Sequence, residues 1–474
     1  MIRKGQVLEK VRVESMAAEG KCIARVENQV IFIPQVAPGD LLDIRVTGKK
    51  KKFLQGTALT FHEHSPMRTQ PVCSHFGLCG GCKWMHISYE HQLEYKRQQV
   101  VDQLERIGKI NIPQIPLTLA SPNTENYRNK LEFTFSNRKW LTPQEMDSGI
   151  ELERNGLGFH LAQKFDKILD INRCYLQKKP SNEIRLALKQ FALDHGLSFY
   201  DLRENRGFLR NLIIRTTTTG ELMVIVQFGE PDHPAITEVM AHLEQKFPQI
   251  TSLMYVINQK GNDTFNDLEV ENYAGKSYIT EVLPTLKNRQ YLEFRIGPKS
   301  FFQTNSEQAI ALYHHAQEFA DLKNNQLVYD LYSGIGTIAN LVAPYVDRVI
   351  GMEQITEAVE DAKVNSNINQ LYNTEFLSGD IKDLLHQAVA SDQPKPDVII
   401  TDPPRAGMHP QVIQHLLSLE ADKIVYISCN PATQARDLAL LDEKYMVKAI
   451  QPVDMFPHTH HVENIVLLSL KSKV

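Results

Sequence analysis

Cysteine is scarce in this chain, six in 474 residues, far below the density of a secreted disulfide scaffold. No apolar run approaches the roughly 20 residues needed to cross a bilayer, and the opening MIRKGQVLEKVRVES has no apolar core of leader length. Repeats and low-complexity segments are absent. These absences exclude a stapled extracellular domain, a helical membrane protein and a solenoid. They lead to the expectation of a cytoplasmic protein with neither a membrane partner nor an obligate protein partner. Charge is not extreme either. A net −4, with 42 % hydrophobic and 23 % charged residues, is an ordinary globular composition, and this length suits about three domains.

The near-neutral total hides a basic end. Residues 1–60 hold eleven Lys and Arg against six Asp and Glu, and Lys49, Lys50, Lys51 and Lys52 stand consecutively. A lysine run can be a solvated turn, but on a compact basic module it is also a phosphate-binding surface. The module reads as short strands split by turn residues: GQVLEKVRVESM, GKCIARVENQVIFI, DLLDIRV and GTALTF. That texture predicts a small β-barrel, with Cys22 in its core. Residues 88–108 read as a charged amphipathic helix with a glycine stop. From about 120 to 290, strand-like KLEFTF, NLIIRTTTT and ELMVIVQF mix with helical NEIRLALKQFALDHG and AITEVMAHLEQKF. From about 295, helices alternate with buried strands, which predicts a doubly wound, mainly parallel sheet.

What cysteine there is lies in two telling places. Cys73, Cys79 and Cys82 form C-x5-C-x2-C in PVCSHFGLCGGCKWMH, with glycines that let the backbone turn tightly. Three thiols this close imply a metal. Cys174 is the candidate fourth ligand, since Cys22 and Cys429 are assigned elsewhere. Four cysteines suit zinc or an iron–sulfur cluster, and spacing does not choose between them. Cys429 follows a short apolar strand in VYISCNPATQARDL. It is either a small buried filler or a nucleophile at the carboxyl edge of the sheet, where α/β enzymes keep their chemistry.

The Asp330-Leu-Tyr-Ser-Gly-Ile-Gly336 turn lacks the third glycine of a dinucleotide fingerprint, which disfavours NAD. Acidic residues at the ends of the first three strands, Asp330, Glu353 and Asp380, instead match class I S-adenosylmethionine (SAM) methyltransferases. SAM has no pyrophosphate to cradle, and carboxylates meet its ribose and cationic end. After the fourth strand comes Asp402-Pro-Pro-Arg405, with arginine where amino-methyltransferases carry an aromatic. His458, His460 and His461 are too irregularly spaced, in a loop, to read as a metal site.

DLYSGIGT, TDPPRAG, YISCNPATQARDL, PHTHHVE and FFQTN, in that setting, resemble the RNA uracil-C5 methyltransferase family. The cysteine motif and the start EGKCIARVENQVIFIPQVAPGD, which resembles a TRAM domain, fit its ribosomal branch. The resemblance implies an α/β architecture in three parts. An OB-like TRAM barrel that binds RNA spans 1–60, a central α+β iron–sulfur domain spans 61–290, and a Rossmann-like class I SAM-methyltransferase sheet spans 291–474. Within the central range, residues 88–110 are candidates to pack on the catalytic domain.

It further implies Cys429 as nucleophile and Glu463 as proton acceptor. Gln303, Tyr332, Thr337, Glu353, Asp380 and Asp402 are implied around SAM, Thr337 standing where some relatives carry asparagine. Cys73, Cys79, Cys82 and Cys174 would bind an iron–sulfur cluster, 4Fe–4S by resemblance. The implied substrate is a uridine of 23S ribosomal RNA, with the tRNA T-loop as the alternative. Arg128, Asn129 and Lys130 resemble a segment near RNA or form a solvated turn, and Phe301 and Phe302 are core or stacking residues. Two rivals carry less. A methylthiotransferase would show C-x3-C-x2-C, and a non-catalytic RNA chaperone would not need Cys429 with Glu463.

Overall fold

Residues 2–149, 152–161, 164–286, 290–391 and 394–471 are described by the computed structural model. The N-terminal module is a six-stranded sheet in the order Val7–Arg12, Leu41–Lys49, Leu54–Glu63, Gln29–Ile33, Cys22–Val26, Ser15–Met16. Its last strand runs past residue 60 to Glu63. GKCIARVENQVIFI is a hairpin rather than one strand. Glu27 (φ 49°) and Asn28 (φ 60°) both turn left-handed between Val26 and its partner Gln29, as the tightest hairpin turns require. Alternate residues Cys22, Ala24, Ile31, Ile33, Leu42, Ile44 and Val46 fill one core. Lys49–Lys52 lie exposed at the tip of the two longest strands, where the Lys50 N–H donates to the Phe53 carbonyl (2.8 Å).

The central sheet has seven strands. NLIIRT, within Leu209–Thr216, is apolar without alternation because both of its faces are covered. Leu212 and Ile214 face the helices Ser181–Asp194 and His233–Lys246. Ile213, with Met223, Ile225, Met254 and Val256 of neighbouring strands, packs into the same core as Leu312, Val328 and Ile400 of the C-terminal sheet. Two further segments share the C-terminal cores although they precede residue 291. Val100 and Leu104 of the helix that begins at Tyr89 pack with Leu331, Leu438 and Val466. Ile279 and Leu283 of a hairpin pack with Phe294 and Val328. The glycine stop at Gly108 has a second purpose. A Cβ there would lie 3.3 Å from the Ala435 carbonyl, so glycine lets the helix end approach the helix Pro431–Leu441.

The C-terminal sheet comprises β1 (Leu327–Leu331), β2 (Arg348–Glu353), β3 (Thr374–Ser378), β4 (Val398–Thr401), β5 (Lys423–Ser428), β6 (Tyr445–Val453) and β7 (Glu463–Leu470). Their order is β3-β2-β1-β4-β5-β7-β6. The first five are parallel, and β7 is antiparallel to both neighbours. The carboxyl ends of β1 to β5 therefore meet the amino end of β7. Among the described residues no helix is long and apolar enough to cross a membrane.

Candidate active site

The antiparallel step at β7 brings the site together. Ser428 is the last residue of β5 and pairs with Asn464. Cys429 follows Ser428 directly and Glu463, the first residue of β7, precedes Asn464, which leaves the thiol within reach of the Glu463 charge. Asn430 caps the helix Pro431–Leu441 by accepting from the Ala432 N–H (3.2 Å), so Cys429 sits between a strand end and a positive helix terminus. Asp402 leaves β4, the strand beside β5, and its N–H donates to the Leu331 carbonyl (3.4 Å).

These groups act on one another. Burial pushes the Cys429 thiol up to about 11, with the Glu463 and Asp402 carboxylates adding to the rise and Arg405 opposing it. Burial, then Asp402, lifts Glu463 to about 8. Burial, then Asp330, lifts Asp402 to about 7. Burial in this site disfavours the charged form of each member.

The first three strand ends form the second half of the site. Tyr332 adopts φ 64° and Gly336 φ 78°, both left-handed, at the turn leaving β1. A Cβ on Gly336 would press against Ala362 and Phe376 at 3.0 Å, whereas one on Gly334 would meet nothing within 4 Å. The Gly334 N–H donates to Glu353 (3.0 Å), whose other oxygen accepts from the Ile355 N–H (2.9 Å). Asp330 is fully buried. One of its oxygens accepts from Ser333 (2.7 Å) and the Ala339 N–H (3.0 Å), while the other has no partner. Open space above a glycine turn, an orphaned carboxylate oxygen and the Glu353 carboxylate fit a ligand with ribose hydroxyls and positive charge.

Asp380 lies within electrostatic reach of Tyr332 in that turn, and caps its own helix through the Lys382 N–H (3.0 Å) while pairing with the Lys382 ammonium (2.7 Å). Thr337 opens the helix after the turn and is buried. Gln303 is buried beneath a contact from Asn129, which donates to its carbonyl and to Ser306 (both 2.8 Å).

Comparison with known proteins decides the family. The model of the tRNA (uracil-5-)-methyltransferase family matches residues 268–471, and that of the TRAM domain matches residues 3–59. An uncharacterized RNA methyltransferase of Bacteroides thetaiotaomicron is 54 % identical over 461 residues, covering 96 % of this chain and all of that one. One from Chlorobaculum tepidum is 38 % identical over 98 % of this chain and 96 % of its own. The crystal structure of the Pyrococcus abyssi tRNA (uracil-54, C5)-methyltransferase with S-adenosyl-L-homocysteine superposes with a TM-score of 0.74. It is 30 % identical, over 97 % of this chain and 99 % of that one. The chain belongs to the RNA uracil-C5 methyltransferase family.

As an RNA uracil-C5 methyltransferase it is a SAM-dependent enzyme with an N-terminal TRAM domain and a class I methyltransferase fold. Its four remaining cysteines share a separate cavity of about 580 Å³ at the edge of the central sheet, which Cys73, Cys79, Cys82 and Cys174 all line. Burial first, then the charges of the other three, pushes the Cys82 thiol up to about 12. Ionising such a set needs a positive centre between them. Among the described residues no three His, Cys, Asp or Glu side chains converge closely enough to hold one metal ion. Four thiols lining one cavity are a donor set that suits zinc or an iron–sulfur cluster.

Two open alternatives resolve on position. Phe302 is buried in the core and Phe301 is 69 % exposed. Arg128 and Lys130 line the cysteine cavity, with the Arg128 guanidinium 5.5 Å above the Phe456 ring, and Asn129 ties the central sheet to Gln303, so the segment is not a solvated turn. Sequence reasoning missed Tyr313, a fully buried phenol facing Asp402, Asp330 and Glu463 from the helix Ser306–Ala320. Its only sequence signal was its place four residues after Ala309 on that helix's buried face.

Proposed function

We propose that this enzyme methylates uridine C5 in RNA through a covalent adduct between Cys429 and uracil C6, and that its target lies in 23S ribosomal RNA. The observation that carries the chemistry is the placing of Cys429 within reach of the Glu463 charge at the end of the β5–β7 junction, beside Asp402. Uracil C5 is a poor nucleophile and must be activated. The Cys429 thiolate adds to C6, and the electron pair moves to C5 and O4. SAM, when bound, supplies an electrophilic methyl group. C5 takes it as the sulfonium's carbon–sulfur bond breaks, Glu463 removes the C5 proton, and the Cys429–C6 bond breaks to restore the ring. Thiol chemistry suits both ends of the sequence, since sulfur adds readily and leaves readily.

The residues assigned to SAM are Gln303, Tyr332, Thr337, Glu353, Asp380 and Asp402. The sulfonium and Arg405 are the positive charges that favour a thiolate at Cys429. Cys73, Cys79, Cys82 and Cys174 are proposed to hold an iron–sulfur cluster of the 4Fe–4S type. Methyl transfer to C5 consumes no electron, so the group is assigned the structural task of tying residues 73–82 to residue 174.

A duplex hides C5 and C6, so the uridine must lie in a loop or be flipped out, and the TRAM module supplies a grip on the flanking RNA. The pairing of a TRAM domain with a four-cysteine motif supports the ribosomal substrate. The tRNA T-loop is the second reading, favoured by the Pyrococcus neighbour, named for uracil 54 of tRNA. Mass mapping of 5-methyluridine in rRNA and tRNA from a deletion strain separates them: the missing methyl group identifies the substrate, and no loss in either RNA refutes both.

A further inference from the structure

Glu463 opens β7, and the nine residues before it, 454–462, form the loop that joins β6 to β7. Their fixed points are unusual. Lys96 and Asp454, both fully buried, pair at 2.5 Å, and the same ammonium donates to the Phe456 carbonyl (3.1 Å). Tyr127 donates to the Pro457 carbonyl (3.1 Å).

At the tip, His458 adopts φ 66°, a left-handed conformation that is uncommon for a residue with a Cβ. The cysteine loop holds it there. The N–H groups of Lys83 and Trp84, directly after Cys82, both donate to the His458 carbonyl (2.8 and 2.9 Å). Gln92, fully buried, closes the node. Its amide oxygen accepts from the His458 N–H (2.9 Å), and its amide nitrogen donates to the carbonyls of Trp84 (3.1 Å) and Ile87 (2.8 Å) and approaches His458 Nδ1 (3.3 Å). The Trp84 indole in turn donates to the Gly20 carbonyl of the TRAM domain (3.3 Å).

One glutamine therefore holds the segment after Cys82 and the loop before Glu463 in a single hydrogen-bonded joint. We propose that Gln92 is a positioning residue for the base at Glu463, and that through this joint the cysteine loop sets how fast the C5 proton is removed. The inference rests on Glu463 being that base. Among the described residues none of the joint's hydrogen bonds reaches Cys429, so addition to C6 and methyl transfer proceed without it. Misplacing a base by about 1 Å costs on the order of a hundredfold in its step.

The test compares Gln92→Ala with Gln92→Met, which fills the same space and makes no hydrogen bonds, using the full-length holoenzyme and unmodified RNA. Both variants are expected to bind SAM normally, while kcat falls about ten- to a hundredfold and KM for RNA falls with it, because the slowed step follows the covalent adduct. The RNA–protein adduct, scarce in the native enzyme, accumulates and survives denaturing electrophoresis. Hydrogen exchange at the His458 amide quickens in both variants and in Cys82→Ser. A kcat that falls without adduct accumulation, or an unchanged kcat with unchanged exchange, overturns the proposal. RNA carrying 5-fluorouridine separates the two failures, because that ring has no C5 proton to lose. If the native enzyme forms no adduct with it, the covalent mechanism falls and takes this inference with it. If the native enzyme does form that adduct but the Gln92 variants turn over normally on unmodified RNA, only the role of Gln92 falls.

Discussion

Cys429, one residue beyond the Ser428–Asn464 pair that ends the antiparallel β5–β7 junction, lies near enough to Glu463, the residue before Asn464, for that carboxylate to raise its thiol. A parallel β7 would place its carboxyl end there instead, and residue 463 would lie at the far side of the sheet. The reversal lets the last strand deliver an acid to the edge where β1 to β5 deliver the other groups.

Replacing Cys429 by alanine is expected to abolish methylation while leaving RNA and SAM binding intact, because the thiol is needed to add to C6 and nothing else at the site can. Filter binding and isothermal titration measure the retained affinities, and a denaturing gel measures the missing adduct. Retained methylation would return Cys429 to the status of a buried filler.

Glu463→Gln keeps the nucleophile and loses the proton acceptor. The expected product is an RNA–protein adduct with a methylated, saturated ring, carrying label from methyl-labelled SAM. Normal turnover would move the base elsewhere, with Asp402 first in line.

The lifted carboxyls also make stability depend on pH in a definite sense. Glu463 and Asp402 titrate near 8 and 7 when folded, against about 4.5 and 3.8 when exposed. Between those limits the unfolded chain releases protons that the folded site retains, so stability falls as pH rises from about 4 to about 8 and then levels off. Glu463→Gln does not ionise, so its advantage over the native protein should widen across the same window. Urea midpoints taken from about pH 5 to about pH 9 read it directly. A gap that ignores pH would mean that Glu463 titrates like an exposed acid.

Removing the charges of Lys49–Lys52 is expected to weaken RNA binding and spare SAM binding. For every phosphate that no longer meets a lysine, the slope of log affinity against log salt should become shallower by about 0.7–0.9. An unchanged slope would make the tip a solvated turn.

Gly336 offers a steric test of the cofactor site. Alanine there must hold a left-handed backbone at a cost of about 1–2 kcal/mol and press on Ala362 and Phe376. Thermal stability and SAM affinity should both drop. Gly334 is also left-handed (φ 55°), so alanine there carries the same backbone cost but meets no protein atom within 4 Å; a loss of SAM affinity larger than that of Gly336→Ala would report contact with the cofactor itself.

Much of this protein is decided locally. The glycine turn after β1, the alternation of buried strands with helices, and the strand running into Ser428 and Cys429 are written in short stretches, because backbone freedom and burial period act over a few residues. The resemblance of those stretches to one family carried the same part of the site. Tertiary structure decided what depends on distant partners. That NLIIRT is covered on both faces, that the helix from Tyr89 joins a core more than 200 residues away, and that Asn129 braces Gln303 all follow from packing that no local period encodes. The same holds for charge. Glu463 reads as an ordinary carboxylate in PHTHHVENIVLL, and only burial beside Asp402 lifts it to about 8. Gln92 is one polar residue on a charged helix until His458, 366 positions later, closes on it.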